Sequence, residues 1–217
     1  MTLEVRPGTA PRGDGETAVE TAAPGPRILV AGVGNMFLRD DGFGPEVARR
    51  LAVEADRAVP GMLAVDYGIR GMHLAYDLLA GVDVLVLVDT VPPGAALPDG
   101  EGSDSGNADG EGAGAPGSIR VLRVRPEHLD GASALDPHGM DPVAVLGRLR
   151  SLGGELPLTY VVGCVPADLT EGIGLSAAVA AAVPQAIAAV VGLVSKHHPV
   201  PEPDPVPEPD SEGPPCA

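Results

Sequence analysis

The chain has 217 residues, with 14 Lys and Arg against 30 Asp and Glu, and its net charge is −16. Such an acidic surface repels nucleic acid and anionic membranes, so neither is an expected partner. The length fits one domain with a real core, and because Trp is absent and aromatic residues make up only 2%, that core must consist of Val, Leu, Ile and Ala.

Both ends of the sequence are unlike a folded domain. Residues 1–25 are rich in Gly, Thr and Ala and are predicted to form a disordered leader that lacks the apolar segment of a signal peptide. Residues 198–217 repeat Pro-Glu-Pro-Asp and are predicted to form a disordered acidic tail. The two cysteines, Cys164 and Cys216, indicate no disulfide framework, so we expect a cytoplasmic protein whose folded domain spans residues 26–197.

The first strand–loop–helix unit carries the most distinctive sequence of the chain. A buried strand over Arg27–Val33 and a helix over Gly42–Ala55 are predicted, and the loop between them reads GNMFLRDD. In a doubly wound sheet this loop lies at the carboxyl ends of the strands, where ligands bind. The adjacent carboxylates Asp40 and Asp41 are therefore a candidate metal or acid–base site.

The loop sequence admits two other interpretations. The third glycine of a dinucleotide-binding fingerprint is replaced by Phe37, and paired carboxylates repel a pyrophosphate, so no nucleotide cofactor is expected. A purely structural interpretation is stronger: the glycines make a tight turn, and Asp41 carries a negative charge near a helix N-terminus.

The next strands also end in acids. The sequence predicts these elements: a strand over Leu63–Asp66, a helix over Gly71–Ala80 and a strand over Val82–Val88. The last of them is continuously apolar, as expected for a parallel strand buried on both faces. Because the carboxyl ends of parallel strands share one edge, we expect Asp41, Asp66 and Asp89 to converge.

The second half contains an insertion and four more elements. Residues 95–115 are rich in Gly and acids and are predicted to be a disordered insertion. The elements that follow are an edge or hairpin strand over Ser118–Arg125, a helix over Asp141–Ser151, a strand over Pro157–Gly163 and a helix over Ser176–His197 with a kink near Pro184. The last helix is long enough to span a bilayer but consists mostly of Ala, so we expect it to pack on a sheet. Together these elements predict an α/β fold, a three-layer sandwich around a mostly parallel twisted sheet of about five strands.

One histidine stands out from the other four. His138 follows Asp136-Pro137 in a loop that leads into a predicted helix. A loop histidine without a ligand role is the ordinary alternative. Two carboxylates and one imidazole are nevertheless a reasonable ligand set for a divalent cation with open positions.

Five segments of the chain resemble the hydrogenase maturation proteases, endopeptidases that trim the large subunit of NiFe hydrogenases. GVGNMFLRDDGFGPEVARRL is similar to the opening motif of that family. Four more segments resemble family motifs, in family order: VDYGIRGMHLAYDLL, DVLVLVDTV, DPHGMD and VVGCVPADLTEGIGLSAAV. The resemblance spans residues 28 to about 197, nearly all of the foldable sequence.

The resemblance implies a site, a substrate and a fold of the phosphorylase/hydrolase-like type. The metal ligands would be Asp41, where the family often has Glu, together with Asp66 and His138; these three are also the best catalytic candidates. Asn35, Asp40 and Gly68 are expected to bind substrate. The chain would be a cytoplasmic, monomeric, aspartyl-type endopeptidase.

Its substrate would be the precursor of a hydrogenase large subunit whose nickel is already in place, so the nickel would come with the substrate. Cleavage would remove a short C-terminal peptide. Two rivals stay open: a generic α/β metallohydrolase for small molecules, and a non-catalytic nickel-dependent chaperone that docks on the hydrogenase.

Overall fold

The computed structural model describes residues 25–55, 61–93, 102–104, 114–126 and 142–197. The strands are β1 (Ile28–Val33), β2 (Met62–Gly68), β3 (Val84–Thr90), β4 (Gly102–Asp104), β5 (Ile119–Val124) and β6 (Leu158–Cys164). The helices are α1 (Phe43–Ala55), α2 (Gly71–Leu79), α3 (Pro142–Ser151) and α4 (Ala177–His197), and a short 3-10 helix covers Arg39–Gly42. The predicted leader and tail lie almost entirely outside the described residues, so their predicted disorder stays a prediction.

All six strands form one sheet in the order β2-β1-β3-β6-β5-β4. The first four in that order run parallel, and β5 and β4 add an antiparallel edge. Every residue of β1 is buried, as is nearly all of β3, because parallel strands in the middle of a sheet are covered on both faces. The predicted α/β fold with a mostly parallel sheet is confirmed.

Helices cover both faces of the sheet and make three layers. One face packs against α1 and α4, where Val84, Val86 and Val88 of β3 point. The opposite face packs against α2 and α3, where Leu85 and Leu87 point. Successive residues of a strand therefore enter two different cores, which decides the side of the sheet on which each polar residue at a strand end lies.

The predicted disordered insertion contains a short strand, which corrects that prediction at three residues. β4 pairs antiparallel with β5, with Ser103 opposite Val121. This pairing needs only backbone hydrogen bonds, so a Gly-Ser-Asp segment with no apolar side chain can supply it. The sheet thereby has six strands, close to the predicted number of about five.

Among the described residues, α4 is the one helix long and apolar enough to cross a membrane by length and composition. Its buried residues, which include Val183, Val190 and Val194, belong to the core between α1 and the sheet. The helix continues through Pro184. Its apolar stripe is thus used for packing, as in a core helix of a soluble protein.

Candidate active site

The loop after β1 is held in place by close packing of α1 on the sheet. A Cβ atom added to Gly44 would lie 2.2 Å from the carbonyl oxygen of Val88 and 2.3 Å from that of Val33. Only glycine permits this approach, and it brings the start of α1 against the carboxyl ends of β1 and β3. The 3-10 helix that carries Asp40 and Asp41 is therefore attached to a rigid edge.

Asp41 lies half-buried at this edge with a hydrogen bond on each carboxylate oxygen. The backbone N–H of Asn35 donates to Oδ2 at 2.7 Å, and the hydroxyl of Thr90 donates to Oδ1 at 3.2 Å. Gly34 has a φ of 130°, and a Cβ there would lie 2.0 Å from the carbonyl oxygen of Asp41. Glycine is required at position 34 by both backbone conformation and space.

Asp66 lies at the same edge, beside Gly34. The carbonyl of Gly68 accepts a hydrogen bond from the Gly34 N–H at 3.1 Å, and the Cβ position of Gly68 is 3.5 Å from Asp66 Oδ1. The pairing of β1 with β2 is irregular here, since Gly32 pairs with Asp66 but Val33 pairs with Gly68. The structure therefore brings Asp41 and Asp66 to one edge, with Gly34 between them.

The irregularity separates Asp66 from its neighbour Tyr67. Tyr67 is buried on the α2 side, where its hydroxyl donates to Asp77 Oδ2 at 2.6 Å. Asp66 is exposed, and the guanidinium of Arg70 donates to its backbone carbonyl. Tyr67 thus anchors the end of β2, while the Asp66 carboxylate faces solvent.

Asp40 does not face the open edge. It is 0% exposed, and its carboxylate accepts backbone hydrogen bonds from Ser176 at 2.6 Å, Ala167 at 2.8 Å and Asp168 at 2.9 Å. Burial by itself raises the pKa of Asp40, but these hydrogen bonds to the ionised form outweigh it and hold the pKa below its usual value. These contacts make Asp40 a support for the loop 165–176 before α4, and its expected contact with substrate stays a prediction.

Asp89 also stays outside the site, contrary to the expected convergence of three acids. It is only 7% exposed, and one of its carboxylate oxygens accepts the Thr90 N–H at 2.7 Å. The alternation along β3 sends odd-numbered side chains toward α2 and α3, whereas Thr90 points to the α1 side. The sequence pattern indicates Asp89 as a site candidate and misses Thr90, whose hydroxyl donates to Asp41. The available signal was the strand's period of two, which places Thr90 and Val88 on one face.

The remaining predicted site residues are Asn35 and Gly68, which lie in the described part of the chain, and His138, which does not. Asn35 is half-buried, and its side-chain oxygen accepts the N–H of Phe37 at 3.0 Å, so it shapes the turn as well as holding Asp41. Gly68 contributes its carbonyl to Gly34. His138 lies outside the described residues. Within the described part of the chain, no group of three His, Cys, Asp or Glu side chains is arranged to hold a metal ion.

Exposed apolar side chains border the site. Phe37 and Ile173 are 61% and 73% exposed, and Met36 and Leu169 are exposed beside them. The loops that carry them are joined, because the Gly172 N–H donates to the carbonyl of Phe37 at 2.8 Å and Leu38 forms a β-bridge with Gly172. We call Met36, Phe37, Leu169 and Ile173 the apolar rim.

Cys164 is not a nucleophile. It is 0% exposed, and burial, together with the nearby charge of Asp40, raises the pKa of its thiol to about 12. A thiol of that pKa is protonated at neutral pH. Cys164 is a buried apolar residue that packs in the core at the end of β6.

Fold and site together define an α/β protein of three layers that presents two carboxylates at the carboxyl edge of its parallel strands. No protein-family model matches the chain. It is, however, 28% identical over 166 residues to the hydrogenase 2 maturation protease of Escherichia coli (strain K12), covering 76% of this chain and 88% of that protein. It is 26% identical over 170 residues to the hydrogenase expression/formation protein HupD of Rhizobium leguminosarum bv. viciae, covering 77% of this chain and 74% of that protein.

The solved structure of the hydrogenase maturating endopeptidase HybD from E. coli is similar to this fold. The TM-score is 0.56 at 28% identity, and the match covers 78% of this chain and 93% of that one. Sequence and fold are therefore both similar to those of hydrogenase maturation proteases over about three quarters of this chain.

Proposed function

We propose that this chain is an endopeptidase that removes a C-terminal peptide from the nickel-loaded large-subunit precursor of a NiFe hydrogenase. The observation that carries the proposal is the pair Asp41 and Asp66, held at one open edge of a fold that is similar over three quarters of the chain to hydrogenase maturation proteases. The chain is thus a hydrolase of protein substrates.

In this proposal Asp41, Asp66 and His138 contact the nickel that the precursor carries. Carboxylate oxygens and imidazole nitrogen are suitable ligands for such a borderline divalent metal. Since the metal arrives as part of the substrate, the chain needs no resident cofactor and no nucleotide. Asn35 supports the proposal because its backbone N–H binds the Asp41 carboxylate, and Gly68 supports it because its carbonyl binds the Gly34 N–H at the same edge.

The attacking nucleophile in this proposal is water. Cys164 is buried and protonated, which argues against a covalent thiol route through the described cysteine. Water adds to the scissile carbonyl as a carboxylate at the open edge takes its proton. The proton then passes to the leaving nitrogen as the C–N bond breaks. This chemistry is of the aspartyl type.

The apolar rim favours a protein substrate over a small molecule. Four exposed apolar side chains next to the carboxylates cost solvation energy unless a partner covers them, and a polypeptide can do so. Backbone hydrogen bonds hold the two loops of the rim together, since they join Gly172 to both Phe37 and Arg39. We therefore propose that the rim contacts the precursor polypeptide around its cleavage site.

The proposal includes a monomeric enzyme in the cytoplasm. The net charge of −16 argues against nucleic acid and anionic membranes as partners. The use of the apolar stripe of α4 in the core supports a soluble protein.

The decisive experiment is mass spectrometry of a nickel-loaded large-subunit precursor incubated with and without the purified protein. The expected result is loss of a C-terminal peptide only when the protein is present. A nickel-free precursor is the matched control and should keep its full mass. Binding of the precursor without any mass change would favour the chaperone, and turnover of simple esters or amides without a protein substrate would favour the small-molecule metallohydrolase.

A further inference from the structure

The carboxylate of Asp41 is tied to two different elements of the fold. Its Oδ2 accepts the backbone N–H of Asn35, six residues earlier, and its Oδ1 accepts the hydroxyl of Thr90, 49 residues later. We propose that Thr90 is a positioning residue that sets the orientation of the Asp41 carboxylate toward the open edge. This inference rests on the proposed function in one respect, because the reaction that the orientation of Asp41 assists is the proposed processing of the precursor.

Thr90 is well suited to fix a direction. It is the last residue of β3, which lies in the interior of the sheet, and it is paired with Cys164 of β6. The preceding residue on the same face, Val88, is buried in the core beneath α1 and α4. A β-branched side chain at such a place has few allowed χ1 angles, so the hydroxyl has a defined direction.

The hydrogen bond from the Asn35 N–H alone does not fix the orientation of the Asp41 carboxylate. The Asn35 N–H fixes Oδ2, but the carboxylate can still turn about the line of that bond. A donor on Oδ1 removes this freedom. Because an ionised carboxylate offers about four lone-pair directions, two donors leave the others free for a metal ion or a water molecule.

The geometry also predicts that the contact contributes little to stability. At 3.2 Å the Thr90–Asp41 distance is longer than the usual 2.5–2.7 Å of a strong hydroxyl–carboxylate bond. Thr90 and Asp41 are both half-buried, so water can replace the lost donor. Loss of the hydroxyl should therefore affect the site much more than the fold.

The test compares Thr90→Val, which keeps the shape and removes the hydroxyl, with Thr90→Ser, which keeps the hydroxyl. In processing of nickel-loaded precursor we expect Thr90→Val to lower kcat/KM by about tenfold or more, in the range that loss of a supporting hydrogen bond to a metal ligand produces. Thr90→Ser should stay within about threefold of the unmodified chain, and the melting temperature of Thr90→Val should change by less than about 2 °C.

Thr159→Val is the matched control, since Thr159 is a strand threonine at the opposite end of β6 whose hydroxyl donates to the Pro157 carbonyl at 2.8 Å. It should leave kcat/KM unchanged. The inference is wrong if Thr90→Val retains more than half of the normal kcat/KM, or if Thr90→Ser is as impaired as Thr90→Val.

Crystal structures of the unmodified chain and of Thr90→Val separate this inference from the proposed function. The variant should keep the Asn35–Asp41 hydrogen bond but show the Asp41 carboxylate rotated or in several conformers. If the unmodified chain does not process the precursor, the proposed function fails, and the Asp41 conformation still decides the role of Thr90. An unchanged, single Asp41 conformer in the variant would overturn the inference.

Discussion

Asp40 and Asp41 are neighbours on one short 3-10 helix, yet they belong to two different regions of the molecule. Asp40 faces the interior, where three backbone N–H groups of the loop 165–176 bind it. Asp41 faces the open edge and is held by one backbone N–H and one hydroxyl. The buried carboxylate joins two loops together, and the half-exposed one is available for chemistry.

The contrast shows how one acidic pair can be both support and site. A buried carboxylate is tolerable only when several donors satisfy it, and those donors leave it no room for another ligand. The half-buried neighbour has one donor on each carboxylate oxygen and retains free lone pairs. The hydrogen bonds to Asp40 on the buried side of the 3-10 helix fix the backbone that carries Asp41 on the open side.

The largest expected effect is on the open side. Asp41→Asn should lower kcat/KM for the nickel-loaded precursor by roughly 100-fold or more, because a neutral amide is a weak ligand and a weak base. Asp41→Glu should stay within about tenfold of the unmodified chain, since it keeps the charge. Mass spectrometry of the precursor over time measures both rates. Processing at the normal rate by Asp41→Asn would remove Asp41 from the site.

The interior side should respond in stability instead. Asp40→Asn exchanges a charged acceptor for an amide whose NH₂ group meets backbone donors, which should cost about 2 kcal/mol and lower the melting temperature by roughly 4–8 °C. Processing by the folded variant, measured well below its melting temperature, should stay within about threefold of normal. Loss of processing with an unchanged melting temperature would instead support the substrate contact that the sequence predicted.

Asp83→Asn is the control for this variant. Asp83 also accepts a backbone N–H, that of Arg27 at 2.7 Å, but its side chain is 56% exposed. Water can replace its contact, so the melting temperature should shift by less than about 2 °C.

The contribution of Asp40 to stability should also depend on pH in one direction. Its pKa in the folded chain is lowered from the ordinary 3.8. Its stabilisation is therefore fully present above about pH 4 and is lost as pH falls through the lower folded pKa. Urea unfolding of the unmodified chain and Asp40→Asn should show a constant difference from pH 5 to 7 and a shrinking one in more acidic solution. A difference that grows in acid would contradict the assigned direction.

A smaller effect is expected at the apolar rim. Phe37→Ser should raise KM for the precursor by roughly threefold to tenfold with little change in kcat, because it removes apolar contact area and leaves the carboxylates in place. Leu63→Ser is the matched control, since Leu63 and Phe37 are each 61% exposed but Leu63 lies near the other end of the sheet on β2. Equal effects of the two changes would mean that the rim has no special role in substrate binding.

The smallest effect should come from the insertion. Deletion of residues 95–113 should move the melting temperature by less than about 2 °C, because β4 contributes backbone pairing but no apolar side chain. The ends are close enough to join, since the Cβ position of Gly114 is 3.9 Å from Pro93 Cβ. Differential scanning calorimetry measures the shift, and a loss of 5 °C or more would show that the insertion packs on the domain.

Much of the fold was predictable from local sequence. The apolar run over Val82–Val88 predicts a buried parallel strand because only a strand covered on both faces tolerates it, and β3 lies in the interior of the sheet. The core positions Val145, Leu146 and Leu149 of α3 follow from helical spacing, and all three are buried. The shared edge of Asp41 and Asp66 follows from the rule that parallel strands end on one side.

Only the tertiary structure decided the contacts between residues that are far apart in the chain. The donors to Asp40 lie 127 to 136 residues away, and Thr90 lies 49 residues from Asp41, distances over which no local pattern carries information. Whether an acid becomes a support or part of a site depends on which backbone groups the fold places beside it. The sequence by itself determined the strands, the helices and the sheet edge at which the acids lie. Tertiary packing placed Asp40 in the interior and Asp41 at the open edge, because the desolvation and hydrogen bonding of each carboxylate depend on distant segments of the chain.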